Sequence, residues 1–271
     1  MSTFVRELSG YSGCYIYLYE GEDGYFVRKL SGSKEYNKRL ERQIVKQAAF
    51  KNPVLRAPKV YSTGYIDGCY YADMEYVDGK TVAALIREEE YHEAGKALYN
   101  VMTMFDAPKT TLHNAQDVVD KVASMHGALS KFSQDEYCQQ ILARLDEHQW
   151  ETHPTMCHGD LTLENMLVKD GEVYLIDFLD SFHDCLEADI AKLLQDLLCM
   201  WSFRYHPLDE KGVQFVHARA REIIAIYASI TTSSTLQLDA MLQLTLLRIY
   251  PYIKDDVTKE FLDTTLRTLF F

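Results

Sequence analysis

The spacing of apolar positions changes about a third of the way along the chain. The first third carries short runs rich in β-branched and aromatic residues. These are Cys14-Tyr15-Ile16-Tyr17-Leu18-Tyr19, Tyr25-Phe26-Val27-Arg28-Lys29-Leu30 and Tyr70-Tyr71-Ala72-Asp73-Met74. Runs of this length, bounded by Gly and Asp, predict strands. Glu20-Gly21-Glu22-Asp23-Gly24 is the expected hairpin turn between the first two. Residues 34–50 break the pattern, because Tyr36, Leu40, Ile44 and Ala48 recur at helical spacing. Beyond the third run, helical periodicity fills most of the chain, with helices predicted around residues 118–132, 138–150, 189–201, 213–230, 236–250 and 257–271. One hairpin interrupts them. Met166-Leu167-Val168 and Val173-Tyr174-Leu175-Ile176 flank the turn signal Lys169-Asp170-Gly171. Strands first and helices later predict an α+β fold, with a mainly β first lobe (residues 1–77) and a larger helical second lobe (residues 78–271).

Composition adds bounds. The 271 residues, 47% of them hydrophobic, suffice for a full core in one large or one two-lobed domain. No internal repeat or low-complexity run is present, and residues 105–114 read as a loop within the helical lobe. A net charge of −12 disfavours nucleic acid and anionic membranes as partners. The first residues lack the apolar core of a signal peptide, and no run reaches the length of a membrane span. Six cysteines at irregular spacing suit a reducing cytoplasm better than a disulfide framework. Cys157 lies near His153 and His158, but zinc spacing and a fourth ligand are missing, so a packed thiol is expected. No protein partner is evident.

The chemistry concentrates in Cys157-His158-Gly159-Asp160-Leu161-Thr162-Leu163-Glu164-Asn165 and in Asp177 at the end of the second hairpin strand. Phosphoryl transfer from ATP needs this set: a carboxylate that orients the acceptor hydroxyl and takes its proton, plus an amide oxygen and a second carboxylate for magnesium. The hairpin brings Asn165 and Asp177 to one open end, where hard oxygen ligands suit Mg2+. Asp160 precedes them on the loop as the expected catalytic base. His158 is expected to lock that loop through hydrogen bonds to backbone. A lone His-Gly-Asp turn, or a lone Asp after a strand, would carry no such implication.

At His158-Gly159-Asp160…Asn165 and Ile176-Asp177-Phe178 the chain resembles the aminoglycoside phosphotransferase and choline kinase superfamily of small-molecule kinases. Protein kinases of the eukaryotic type would show Arg in place of Gly159 and Gly in place of Leu179. The resemblance extends over most of the chain and implies a two-lobed protein-kinase-like fold that uses ATP and Mg2+. It implies that Asp189 is a buried acid bracing the loop, and that Leu8-Ser9-Gly10-Tyr11-Ser12-Gly13 is a phosphate loop. It further implies a cation for the α- and β-phosphates on the strand ending at Leu30. Side chains alternate along a strand, so Lys29 shares a face with Val27, and Arg28 shares one with the bulkier Phe26. Lys29 is therefore expected over the nucleotide. A helix Glu should hold that Lys; Glu41 is the candidate, Glu35 the alternative, and Gln43 stands where some relatives would place theirs. The run Glu75-Tyr76-Val77 is expected to read the adenine edge through backbone, with Glu75 and Val77 supplying the carbonyl and amide and Met74 as an apolar wall.

The acceptor pocket is expected after Asp177. Asp180, His183 and Asp184 follow it closely. Polar residues interrupt the apolar helix at Gln195 and Asp196, which could bond hydroxyls or an amine. Trp201 and Tyr205 could stack on a sugar or cover an ammonium. The expected activity is transfer of the γ-phosphate of ATP to a hydroxyl of a small molecule: a sugar, an amino alcohol such as choline or ethanolamine, or an aminoglycoside. The alternative is a nucleotide-binding regulatory module without turnover.

Overall fold

The computed structural model describes residues 2–8, 13–105, 111–132, 136–231 and 234–270. In chain order the first part holds β1 (Thr3–Leu8), β2 (Cys14–Gly21), β3 (Gly24–Ser31), α1 (Asn37–Ala49), β4 (Leu55–Arg56), β5 (Val60–Ile66), β6 (Cys69–Glu75) and β7 (Lys80–Thr81). The middle holds α2 (Val82–Arg87), α3 (Tyr91–Met102), β8 (His113–Asn114), α4 (Gln116–Phe132), α5 (Glu136–Glu147) and β9 (Glu151–Thr152). Then come β10 (Met166–Lys169), β11 (Glu172–Leu175), α6 (Leu186–Leu197), α7 (Glu210–Ile230), α8 (Thr235–Leu247) and α9 (Asp256–Phe270). The fold is α+β, with β-strands concentrated early and helices late. The helices predicted after residue 118 all form, shifted by a few residues at their ends. Strands β1 and β5, the two-residue strands β4, β7, β8 and β9, and helices α2 and α3 are additions to the sequence-based assignment. No helix among the described residues is long and apolar enough to cross a membrane.

By contacts the chain divides into two compact units. One joins Met1–Thr81 with Asn165–Asp180; the other joins Val82–Glu164 with Ser181–Phe271. The β10–β11 hairpin thus clusters with the N-terminal segment, whereas the sequence-based lobes put it with the helices.

The first unit is built on a five-stranded antiparallel sheet in the order β1-β2-β3-β6-β5. Two of its turns follow from sequence. Asp67 and Gly68 join β5 to β6, and Asp170 and Gly171 join β10 to β11; all four residues have positive φ, of 51°, 82°, 50° and 79°. Asp-Gly tolerates that conformation, which matches the twist of the flanking strands. Helix α1 lies on the sheet and buries Leu40 and Ile44 against Tyr70, Ala72 and Met74, with Val27 and Tyr36 packed at the edge. A second, four-stranded sheet in the order β4-β11-β10-β7 carries the hairpin.

In the second unit α6 packs against α7 and α8, and its first turn is tied down by a buried polar cluster. Glu187, fully buried, accepts from the His153 backbone N–H at 3.0 Å and from the Tyr227 hydroxyl at 3.1 Å, and lies 2.5 Å from His153 Nδ1. This fixes the chain entering the loop that begins at Cys157 onto the start of α6.

Candidate active site

Within the first unit, strand alternation separates the two cations of β3. Arg28 forms a two-pronged pair with Asp73, at 2.6 and 2.7 Å, and stacks between the rings of Tyr19 and Tyr71. Lys29 turns to the other face, where it is 6% exposed, and its ammonium meets Asp177 Oδ1 at 2.8 Å. Burial works against that ammonium. The Asp177 carboxylate, by charge and by hydrogen bond, more than offsets this and raises the Lys29 pKa. Asp177 itself adopts φ +60°, a conformation that Asp tolerates better than most residues and that ends the strand sharply. Across the hairpin the Asn165 carbonyl accepts from the Ile176 N–H at 3.0 Å, so the two backbones meet one residue before Asp177. Asn165 and Asp177 therefore stand at the same end of the hairpin, as the sequence suggested.

Helix α1 departs from expectation. Glu41 and Glu35 are both exposed, while Lys29 is buried on Asp177. The inward face of α1 is Leu40, Gln43, Ile44 and Gln47, and Glu41 lies off it by one helical position, about 100° from Leu40. Gln43 is 2% exposed, and neither amide atom of its side chain finds a partner among the described residues. Leaving such a group unpaired costs about 1–3 kcal/mol. Gln43→Met is therefore expected to raise stability by that order; a lower melting temperature in calorimetry would contradict it.

The segment expected to read the adenine edge is partly committed internally. The Glu75 N–H donates to the Lys59 carbonyl at 2.9 Å, and the Val77 carbonyl accepts from Gly79 N at 3.1 Å. Met74 is buried in the core beneath α1. Asp180 is tied to Arg42 at 2.6 Å, which gives it a partner other than an acceptor. Of the expected phosphate loop, residues 9–12 lie outside the described residues.

In the second unit the loop 158–163 is held by one face of α6. Asp189 accepts from the His158 N–H at 2.6 Å through Oδ2 and from the Gly159 N–H at 2.7 Å through Oδ1. Gly159 has φ +87°, which a side chain would strain. His158 is 1% exposed, and its Nδ1 accepts from the Asp160 N–H at 3.2 Å. The Asp160 carbonyl accepts from Thr162 N at 2.8 Å, and Asp160 Oδ1 forms an ion pair with Lys192 at 3.0 Å. Further along, Asp196 accepts from the Leu163 N–H at 2.6 Å and from the Ser202 N–H at 2.8 Å. Asp189, Lys192 and Asp196 stand at i, i+3 and i+7, a single helical stripe.

That stripe corrects the acceptor assignments on α6. Asp196 is fully buried and Gln195 is 1% exposed, so neither faces a ligand. Gln195 accepts from Lys192 Nζ at 3.3 Å. Trp201 and Tyr205 do flank a cation, but it is the chain's own. The Arg204 guanidinium lies 3.8 Å from the Trp201 ring centre and 4.4 Å from that of Tyr205, whose hydroxyl binds Asp255 and Thr258, each at 2.9 Å. The local sequence held this answer, since Arg204 stands between the two rings. His183 and Asp184 are likewise occupied. His183 Nε2 lies 2.8 Å from Thr152 Oγ1, and the Cys157 thiol donates to Asp184 at 3.1 Å. Lys192 is the residue sequence reasoning passed over.

Burial lifts the Asp196 carboxyl to about 6, against the opposing backbone hydrogen bonds from Leu163 and Ser202. A folded value above the ordinary 3.8 means that the folded state holds this proton more tightly. Its contribution is full below that ordinary value and is lost as pH climbs through about 6. Urea unfolding should show stability falling between about pH 4 and 6, by about 3 kcal/mol from this group. Asp196→Asn should be less stable throughout but should lack that fall; an unchanged pH slope would contradict the assignment.

Solved structures place the fold. Aminoglycoside phosphotransferase APH(4)-Ia, as a thermostable mutant in ternary complex with ADP and hygromycin B, superposes with a TM-score of 0.61 at 15% identity, covering 99% of this chain and 95% of that one. Aminoglycoside phosphotransferase APH(3'')-Id from Streptomyces rimosus gives 0.59 at 15% identity, covering 89% and 92%. A Haemophilus somnus protein, provisionally described as a fructosamine-3-kinase, gives 0.58 at 15% identity, covering 99% and 92%. No curated protein sequence matches. The family model for the APH phosphotransferase enzymes matches residues 7–222, well over half the sequence, and the chain belongs to this phosphotransferase enzyme family.

Proposed function

We propose that the chain transfers the γ-phosphoryl group of ATP to a hydroxyl of a small molecule, with Mg2+ as the required cation. The observation that carries this reading is the buried Lys29 ammonium on Asp177, at the hairpin end that also bears Asn165. An ammonium held in a core needs a reason, and phosphate binding supplies one. Lys29 pairs with the α- and β-phosphates. The Asn165 amide oxygen and the Asp177 carboxylate are oxygen donors of the kind magnesium takes, and the residues fit that ion. Bound there, it would neutralise phosphate charge. The Glu75 carbonyl and the Val77 amide read the adenine edge.

Asp160 orients the acceptor hydroxyl. The acceptor oxygen bonds to the γ-phosphorus as the bond from that phosphorus to the β,γ-bridging oxygen breaks; the electron pair leaves with ADP, and the hydroxyl proton goes to Asp160. Positioning and charge neutralisation supply most of the catalysis. Acceptors of the classes named above fit the reading: aminoglycosides, other sugars and amino alcohols. None of the six cysteines is in a disulfide, which suits a cytoplasmic enzyme.

The test is ATP consumption, with and without Mg2+, across hygromycin B, glucose, choline and ethanolamine. Acceptor-stimulated, Mg2+-dependent consumption is expected with at least one. Nucleotide binding without consumption in any mixture would instead favour a regulatory module.

A further inference from the structure

Asp160 is fixed by backbone on both sides, through His158 Nδ1 and Thr162 N. Those bonds fix the backbone of Asp160. The ion pair with Lys192 at 3.0 Å engages the carboxylate itself, at Oδ1. Lys192 is in turn aimed by the buried Gln195, whose amide oxygen takes a second of its protons at 3.3 Å. Its side chain is 18% exposed, so the ammonium is sheltered and the pair is less screened than a surface one. The same helix stripe holds the loop at Gly159 through Asp189 and at Leu163 through Asp196. Lys192 sits between these two braces and engages the Asp160 side chain, the one assigned to the reaction.

We infer that Lys192 is a positioning residue for phosphoryl transfer: its ammonium sets the plane of the Asp160 carboxylate that meets the acceptor hydroxyl. This rests on the reading of Asp160 as the base. Lysine suits the task because its three rotatable donors serve Asp160 and Gln195 together. Misplacing a reacting group by about 1 Å can cost roughly a hundredfold in rate. Lys192→Met keeps the apolar stem and removes the charge. It should lower kcat by that order while the KM for ATP moves by less than about threefold. Lys192→Arg, which keeps the charge, should recover part of the loss.

The deciding measurement is a double-mutant cycle on Mg-ATP consumption with hygromycin B, glucose, choline, ethanolamine or water alone as acceptor. If Lys192 acts through Asp160, then Lys192→Met adds no further loss to Asp160→Ala, because the group it positions is gone. A thermal melt of each variant accompanies the kinetics. Three outcomes overturn the inference: full activity in Lys192→Met, an equal further loss in the Asp160→Ala background, or a kcat loss that merely tracks a lowered melting temperature and is absent where the fold is intact. No consumption by the unaltered chain with any acceptor would remove the base assignment and this inference with it. An active unaltered chain with an unaffected Lys192→Met removes the inference alone.

Discussion

Asp160→Ala should lower acceptor-dependent turnover by roughly 10²- to 10⁴-fold, the range set by losing a positioned general base. Nucleotide affinity should stay near that of the unaltered chain, since Asp160 is assigned to the hydroxyl and not to the phosphates. Stability should fall only modestly, through loss of the part-exposed ion pair with Lys192. The loop is braced by Asp189 and Asp196 through backbone N–H groups, and none of those bonds uses the Asp160 side chain. Isothermal titration with nucleotide, a thermal melt and a rate assay separate the three statements. Unchanged turnover would remove Asp160 from the mechanism. Collapsed nucleotide binding would move it to the phosphate side.

Asp177→Ala should fail in a different way. Lys29 is 6% exposed and rests on Asp177, so the substitution strands an ammonium in the core. Removing one partner of a fully buried pair costs about 3–5 kcal/mol. The Asp177 side chain is 38% exposed, and solvent screening reduces the expected loss to about 1–3 kcal/mol. Magnesium-dependent nucleotide binding should weaken in the same variant, because Asp177 is also assigned to the cation. Lys29→Met together with Asp177→Ala separates the two effects. The double variant should regain much of the stability, since no unpaired charge is left behind, and should remain inactive. A double variant no more stable than Asp177→Ala would show that the pair is not what holds Lys29 in place.

The parts of the site legible from sequence were those whose physics is local. Alternation along β3 put Lys29 on the buried face and Arg28 on the other, and the Asp-Gly turn set the hairpin that stands Asn165 and Asp177 at one end. Asp189 was expected as a brace from the family resemblance rather than from local pattern, and its two backbone bonds are of that kind. Helices with a long apolar stripe were found to within a few residues. The misses have a common origin. On α6, polar residues in an apolar helix suggested a pocket lining, yet Gln195 and Asp196 face buried loop atoms and a lysine. A polar group inside a helix is compatible with either use; the register with Asp189 at i, i+3 and i+7 is what separates them. The same register would have brought Lys192 forward. Trp201 and Tyr205 were read as stacking on a sugar or covering an ammonium, whereas the cation they flank is Arg204, beside them in the chain. Glu41 was favoured for its charge over Gln43, although Gln43 has the inward register shared with Leu40, Ile44 and Gln47. Strand β1 escaped notice because nearly every residue along it is exposed, leaving no buried face to produce alternation.

The central claim is that a γ-phosphoryl group leaves ATP for a carbon-bound hydroxyl. Phosphorus NMR of the acceptor mixture after incubation with ATP tests it most directly. A phosphomonoester signal should grow in step with ADP, only when Mg2+ is present, and should be absent with Asp160→Ala. ATP that binds and stays intact, or that yields inorganic phosphate alone with every acceptor class, would contradict the account.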